Sequence, residues 1–140
     1  MRDHRKLRAF NLADELVIQI YRETRRLPKS ETFGLVSQMR RASFSVAANL
    51  VEGCARAGEK ELVHFLNMAF GSIRELGYAI DLCHRLGYFP DDVSTRLSLL
   101  QSRAAAALTG LLRSFQTPSM TTSRPRTQDP IDISLTGELT

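Results

Sequence analysis

The sequence predicts an all-α protein: an antiparallel up-down-up-down four-helix bundle with a disordered C-terminal tail. Three observations support this prediction. Apolar residues recur at helical spacing in four consecutive segments, the connections between those segments are short, and the apolar period stops near residue 116. Since helices joined by short connections pack antiparallel, residues 1–116 are expected to form one bundle domain and residues 117–140 a polar tail.

The first two helices are predicted from about Phe10 to Leu27 and from about Thr32 to Ala55, with Pro28 and polar residues between them. The face predicted to turn inward from the first helix consists of Ala13, Leu16, Ile20, Thr24 and Leu27. The corresponding seam of the second helix consists of Val36, Met39, Ser43, Val46 and Leu50.

The third helix, from Glu59 to about Leu86, follows a turn at Gly58 and has the most regular period. Its inward residues alternate spacings of four and three, which is a heptad seam: Leu62, Leu66, Ala69, Ile73, Leu76, Ile80 and Cys83.

The fourth helix follows a turn made by Gly87 and Pro90 and ends near Phe115, and Asp91 or Asp92 can cap its start. Its predicted inward residues are Val93, Leu97, Leu100, Ala104, Ala107, Leu111 and Phe115. From Thr117 onward the chain is rich in Thr, Ser and Pro and has no helical or strand period.

The second helix has more apolar surface than a bundle seam needs, because nearly every residue from Ala42 to Val51 is apolar or small. A helix that is apolar nearly all round must be buried on several sides. We therefore expect a homo-oligomer whose subunit interface uses a second flank of this helix: Phe44, Ala47, Val51 and Cys54.

Two glycines inside the third helix add to that expectation, since each costs about 1 kcal/mol relative to alanine. Gly71, next to the seam, is expected to serve packing within the subunit. Gly77 is the candidate for a contact between subunits.

Basic residues are concentrated at the start of the chain, where residues 1–30 carry eight Lys or Arg against four Asp or Glu. In an antiparallel bundle one end gathers seven cations: Arg2, Arg5, Lys6, Arg8, Arg56, Lys60 and Arg113. The other end holds Arg22, Arg25, Arg26, Lys29 and Arg85, and cations at a helix C-terminus need no partner because they offset the helix dipole. The first end is therefore the candidate for binding the phosphate backbone of RNA or DNA.

A polar stripe on the second helix allows two interpretations. Arg41, Ser45, Asn49, Glu52 and Arg56 share one narrow face, which is either a recognition surface or an internal network. For the internal network we expect an ion pair within the helix, between Glu52 and Arg56, and a second one from Arg40 or Arg41 to Glu75.

The sequence contains no pattern typical of a catalytic or metal site. Glu61 and His64, and Asp81 and His84, lie on one helix without matching ligands opposite, which argues against a di-iron centre. No nucleophile elbow or phosphate-binding loop is present, so neither an enzyme nor a cofactor is expected unless a site is assembled between subunits. Cys54 and Cys83 are expected to be small core residues without a disulfide, because they lie far apart along the bundle.

No apolar run approaches the roughly 18 residues of a membrane span, and the basic N-terminus lacks the apolar region of a secretory signal. We therefore expect a cytoplasmic protein with no membrane association.

The chain resembles the 23S rRNA intervening-sequence proteins, a family of four-helix bundles. The matching pieces are FGLVSQMRRAS (33–43), AANLVEGCAR (47–56), FLNMAFGSIREL (65–76), LGYF (86–89) and the opening segment RDHRKLRAFNLADELVIQIYRET. The resemblance covers residues 2–115. Cys54 stands where a glycine or aromatic residue is common in the family, Phe10 replaces a more typical Trp region, and the polar tail is additional.

The resemblance implies a ring-shaped pentamer, and some members of the family are encoded within rRNA intervening sequences. The accessory variability proteins of diversity-generating retroelements are similar in fold and bind nucleic acid and a reverse transcriptase. By that analogy Arg40, Arg41 and Arg56 are the motif residues for binding nucleic acid, with the N-terminal cations beside them. The candidate nucleic-acid-binding residues are therefore Arg5, Lys6, Arg8, Arg40, Arg41, Arg56 and Lys60, and the candidate interface residues from the apolar flank and the helix glycine are Phe44, Ala47, Val51 and Gly77. The alternative is a ring-shaped scaffold that docks a partner protein and has no nucleic-acid role.

Overall fold

A computed structural model describes residues 2–115 and contains four long helices in them: α1 (Arg8–Glu23), α2 (Leu35–Ala55), α3 (Glu59–Arg85) and α4 (Asp91–Ser114). Short 3-10 turns lie at His4–Lys6, Thr24–Arg26 and Lys29–Glu31. Each helix packs on its neighbours in sequence, and α1 also packs on α4, so the antiparallel bundle closes. The predicted fold is confirmed, and the predicted tail lies outside the described residues.

The antiparallel order gives the bundle two chemically different ends. The N-terminal end, formed by residues 2–8, 53–61 and 110–115, holds the starts of α1 and α3 and the ends of α2 and α4. The opposite end, formed by residues 21–36 and 82–96, holds the other termini.

The core follows the predicted faces of the first three helices closely. Every predicted inward residue of α1, of the Thr24–Leu27 segment after it, and of α3 is buried, and so are Met39, Ser43, Val46 and Leu50 of α2. Val36 of α2 is only partly buried. Leu76, Ile73, Leu66 and Leu16 are among the largest fully buried side chains.

The predicted seam of α4 is wrong in its C-terminal half. Beyond Ala104 the buried residues are Leu108 and Leu112, while Ala107, Leu111 and Phe115 are only partly buried. After Ala104 the buried residues of α4 are spaced four and four instead of three and four, so the inward face moves to the residues one position later than predicted. The helical period alone does not account for this shift, since the seam of α3 keeps its heptad spacing from Leu62 to Cys83. The packing of α4 on α1 and α3 sets which of its residues turn inward.

The start of the second helix, at the opposite end, also differs from its prediction. Helix α2 begins at Leu35, not near Thr32, because the Glu31 carboxylate accepts a hydrogen bond of 3.0 Å from the Leu35 amide. The other oxygen of Glu31 accepts from the Tyr88 hydroxyl at 3.0 Å, and this contact raises the pKa of Tyr88. Glu31 therefore connects the start of α2 to the α3–α4 turn.

Both cysteines are free and buried, as predicted. Burial raises the pKa of both thiols, that of Cys83 to about 11. Cys54 is only 1% exposed, so its assignment to the neighbour-facing flank of α2 is wrong. The cause lies in the last turn of α2, which presses against α3: a Cβ on Gly53 would lie 3.0 Å from the Phe65 Cβ and 3.1 Å from Leu62 Cδ1.

The two α3 glycines have the opposite environments from those predicted. A Cβ on Gly77 would lie 2.7 Å from the side-chain nitrogen of Gln101, which donates a hydrogen bond of 2.9 Å to the Ile73 carbonyl. Gly77 therefore makes room for α4 of the same chain, and this contact removes the reason for assigning it to a subunit interface. Gly71 faces open space.

Candidate nucleic-acid interface and subunit contact

The N-terminal segment is attached to the end of the bundle by both backbone and side-chain contacts. The Arg2 amide donates to the Cys54 carbonyl at 2.9 Å, and the Arg2 guanidinium lies 5.7 Å from the centre of the Phe115 ring. Asn11 of α1 donates to the Arg5 carbonyl at 3.2 Å. These contacts place the first cations of the chain against the ends of α2 and α4, as the antiparallel order predicts.

Two of the cations at this end are paired with acids. Arg5 bonds the Asp3 carboxylate at 3.0 Å, and its hydrogen bonds lower the pKa of Asp3. Arg56 pairs with Glu52 one turn earlier in α2 and lies over the Phe65 ring at 5.2 Å. The predicted Glu52–Arg56 pair is therefore present.

Five other cations at this end have no acidic partner within 4.0 Å among residues 2–115: Arg2, Lys6, Arg8, Lys60 and Arg113. All five side chains belong to exposed residues. Arg2 and Arg113 lie at the N-terminal end of the bundle, as the antiparallel order of the helices predicts.

The cations next to α1 are electrostatically unfavourable for the helix itself. Helix α1 begins at Arg8, directly after the turn that carries Arg5 and Lys6, and its first turn contains no acidic residue. The N-terminus of a helix carries a partial positive charge, so a cation there lowers helix stability. Helix stability therefore gives no reason for Lys6 and Arg8 at these positions.

Arg40 and Arg41, two of the predicted binding residues, lie elsewhere in the bundle and serve the fold. Arg40 donates to Thr24 Oγ1 at 3.0 Å and to the Tyr21 carbonyl at 3.1 Å, and its guanidinium lies 4.6 Å from the centre of the Tyr21 ring. Arg41 pairs with Glu75 of α3, which confirms the expected ion pair.

The polar stripe of α2 is mainly an internal network between α2 and α3. Ser45 and Ser72 hydroxyls lie 2.9 Å apart, and the Asn49 amide donates to the Ser45 carbonyl at 2.8 Å. Together with the Arg41–Glu75 pair, these bonds use the polar groups of the stripe within the chain, although the side chains of Arg41, Glu52 and Arg56 remain 41–54% exposed. The structure thus brings together Arg5, Lys6, Arg8, Arg56 and Lys60, but not Arg40 and Arg41.

The candidate interface residues on α2 lie in an apolar groove between α1 and α2. Phe44, Ala47, Ala48 and Val51 form one wall, Phe10 and Val17 form the other, and Asp14 and Glu52 lie at the rim. The groove encloses about 460 Å³, and Phe44 is 61% exposed beside it. Sequence reasoning missed the α1 wall, although Phe10 and Val17 are two turns apart on a face that the seam did not use.

Two other features of residues 2–115 concern metal-ligand groups and membrane-spanning helices. No group of three or more His, Cys, Asp or Glu residues in this part of the chain could hold a metal ion. Within the same residues, no helix has both the length and the apolar character that crossing a membrane requires.

Comparison with solved structures gives the same fold. The chain is similar to the crystal structure of a protein with unknown function from the S23 ribosomal protein family of Bacteroides thetaiotaomicron, with a TM-score of 0.70 and 18% sequence identity. The match covers 75% of this chain and 98% of that one. No curated protein matches the chain significantly.

The family model of the 23S rRNA-intervening sequence proteins matches residues 5–110, which include all four helices except the last turn of α4. The matched range includes all the pieces that carry the resemblance seen in the sequence, apart from the first residues of the opening segment. The chain therefore belongs to the 23S rRNA-intervening sequence protein family.

Proposed function

We propose that this protein is a non-enzymatic, homo-oligomeric bundle that binds the phosphate backbone of RNA or DNA through its N-terminal end. One observation carries the proposal: Lys6 and Arg8 extend into solvent at the positive end of α1, without an acidic partner among residues 2–115. A bound polyanion would offset the unfavourable positive charge at this helix terminus.

Assembly would multiply this site. The groove between α1 and α2 leaves Phe44 and Val51 exposed beside Phe10 and Val17, and apolar surface of this kind is typical of a subunit contact. In a symmetric ring each subunit adds its own set of cations, so phosphate contacts accumulate and the salt dependence becomes steeper. The resemblance to the family suggests that the ring is a pentamer. The cytoplasm is the proposed compartment because the N-terminus lacks the pattern of a secretory signal.

The binding half of the proposal is tested by titrating fluorescently labelled RNA, and DNA of the same sequence, with the full chain at several salt concentrations. We expect binding that weakens linearly in a plot of log affinity against log salt, with little preference for sequence. No binding at low salt, or binding that salt does not weaken, would contradict it.

The assembly half is tested by measuring the mass of the protein in solution. We expect a multiple of 15.7 kDa, and a Phe44→Glu variant should have a lower mass because the groove would then bury a charge. A matched Phe33→Glu variant changes the 93% exposed phenylalanine at the opposite end and should leave the mass unchanged. A monomeric wild-type protein would contradict the proposed assembly.

The second candidate function is a scaffold, favoured by the same groove if it holds a different protein instead of another subunit. Purification from cells with and without nuclease distinguishes the two. A protein partner that persists after nuclease and depends on Phe44, with no nucleic acid recovered, would favour the scaffold.

A further inference from the structure

A second apolar groove lies at the N-terminal end, between α1 and α4. It encloses about 330 Å³ and is lined by Leu7, Arg8, Ala9, Ala107, Gly110, Leu111 and Ser114. Apart from Arg8 and Ser114 the lining is apolar or small, and a Cβ on Gly110 would meet nothing within 4 Å. The groove is therefore an open apolar surface with a single charged side chain, a cation, in its wall.

The position of this groove relates it to the C-terminal part of the chain. Ser114, the last residue of α4, is part of its lining, so the chain passes the groove before residue 116. Residues 116–140 follow, and the stretch from 116 to 128 is long enough to span about 40 Å when extended. A later segment can thus return to the groove with ample slack.

One segment of the C-terminal part matches the groove in both pattern and charge. In Asp129–Leu135 (DPIDISL), the apolar residues Ile131, Ile133 and Leu135 alternate with Asp132 and Ser134. Alternation of this kind puts three apolar side chains on one side of an extended chain. No Lys or Arg lies between residues 127 and 140, whereas Asp129, Asp132 and Glu138 are negative.

The lengths also agree. From Ile131 to Leu135 an extended chain covers about 13 Å, and the α4 side of the groove, from Ala107 to Ser114, is about 10 Å long. The acidic residues would lie beside Arg8 and the neighbouring Lys6, which have no acidic partner among residues 2–115.

We infer that the segment Asp129–Leu135 docks in the α1–α4 groove of its own chain, with its isoleucines against Leu7, Ala107 and Leu111 and its carboxylates beside Arg8. The connection through residues 116–128 makes the encounter intramolecular, so an effective concentration in the millimolar range allows even a weak contact to form. One consequence rests on the proposed function: the docked segment competes with nucleic acid for Arg8 and Lys6.

Disulfide trapping in the full chain tests the docking. The pair Gly110→Cys and Ile133→Cys places one thiol in the groove and one in the segment, and the native Cys54 and Cys83 are buried. We expect an intrachain disulfide that forms about tenfold faster than in the matched pair Ser98→Cys and Ile133→Cys. Ser98 is exposed on α4, about 18 Å from Gly110 along the helix.

Adding Ile131→Ser to the first pair should slow the cross-link to the rate of the control, since one apolar contact is lost without a change of charge. Equal rates for the two pairs would overturn the docking. A cross-link that joins two chains, seen by its doubled mass on a denaturing gel, would overturn the assignment to the same chain.

The competition has a separate measurement. In the full chain, Ile131→Ser with Ile133→Ser should tighten binding of labelled RNA several-fold at low salt, because Arg8 and Lys6 are released. Unchanged affinity in this variant would overturn the competition. If no form of the protein binds RNA or DNA, the proposed function fails, and the cross-linking rates alone decide the docking.

Discussion

Both ends of the bundle carry many cations, but the surroundings of those cations differ. At the N-terminal end five of seven cations have no acidic partner among residues 2–115, and Lys6 and Arg8 lie at the start of a helix, whereas at the opposite end Arg26, Arg85 and Arg96 pair with acids. At the opposite end Arg96 of α4 bonds Gln19 and Glu23 of α1, each at 2.6 Å, and Arg26 bonds the second oxygen of Glu23. Arg22 and Arg25 stand at the C-terminal end of α1, where the helix dipole favours a positive charge.

The difference teaches that the number of cations does not identify a binding surface. The position of each cation relative to helix termini and acids separates structural cations from those available to a ligand. Arg40 illustrates this: its guanidinium is a good candidate for phosphate binding by sequence, yet it donates to the Tyr21 carbonyl near the end of α1 and to the Thr24 hydroxyl.

The largest expected effect is the loss of nucleic-acid affinity when two cations are removed from the N-terminal end and not from the opposite end. Lys6→Gln with Arg8→Gln should weaken RNA binding about tenfold at low salt and reduce the slope of log affinity against log salt by about 2 per subunit. The matched variant Arg22→Gln with Arg25→Gln removes the same charge from the opposite end and should change affinity little. Equal losses in both variants would show that only net charge matters and would break the comparison.

A second expected effect concerns Arg40, which belongs with the structural cations. Arg40→Gln removes the hydrogen bonds to Thr24 and Tyr21 and the contact with the Tyr21 ring, and should lower the free energy of unfolding by about 1–2 kcal/mol. Urea unfolding measures the loss. RNA affinity of the folded variant should stay near that of the wild type, and a large loss of affinity would return Arg40 to the binding surface.

The Glu23 cluster provides a pH-dependent test of the opposite end. Hydrogen bonds from Arg26 and Arg96 lower the pKa of Glu23, so its carboxylate is more easily ionised in the folded chain than in the unfolded one. The stabilisation is therefore complete above about pH 5 and disappears as the pH falls through the lowered pKa.

Glu23→Gln should accordingly lower the free energy of unfolding by about 1 kcal/mol at neutral pH, since it loses charge-assisted bonds to two arginines. The difference in the free energy of unfolding between the wild type and the variant should become smaller as the pH is lowered. Urea unfolding at a series of pH values from 7 to 3 measures this difference, and Glu15→Gln, an exposed acid of α1 without an ion-pair partner in residues 2–115, is the control. A difference that is constant with pH would rule out the ionised Glu23 as its cause.

The smallest expected effect is on the free energy of unfolding, which should change in opposite directions when a cation is removed from either end of α1. Arg8→Gln removes a cation from the positive N-terminus of α1 and should raise the free energy of unfolding by about 0.3–1 kcal/mol. Arg22→Gln removes one from the last turn of the same helix and should lower it by a similar amount. Thermal unfolding of the two variants at low salt gives the signs, and the same sign in both would contradict the dipole argument.

The sequence by itself determined the fold class, the order of the helices and most of the core, because these depend on local periodicity and on short connections. The seam of α3, from Leu62 to Cys83, is buried at every predicted position. The antiparallel order also sufficed to bring Arg2, Arg8, Arg56 and Lys60 to one end of the bundle.

Only the tertiary structure decided which partner each side chain contacts on the neighbouring helices. It assigned Gly77 to contact with Gln101 and Arg41 to Glu75, and it placed Phe10 and Val17 opposite Phe44. The physical reason is that helical periodicity fixes the angle of a side chain about its own axis, whereas its partner depends on the rotation and spacing of the neighbouring helix. Those quantities are set by packing of the whole core, and no single segment of the sequence contains them.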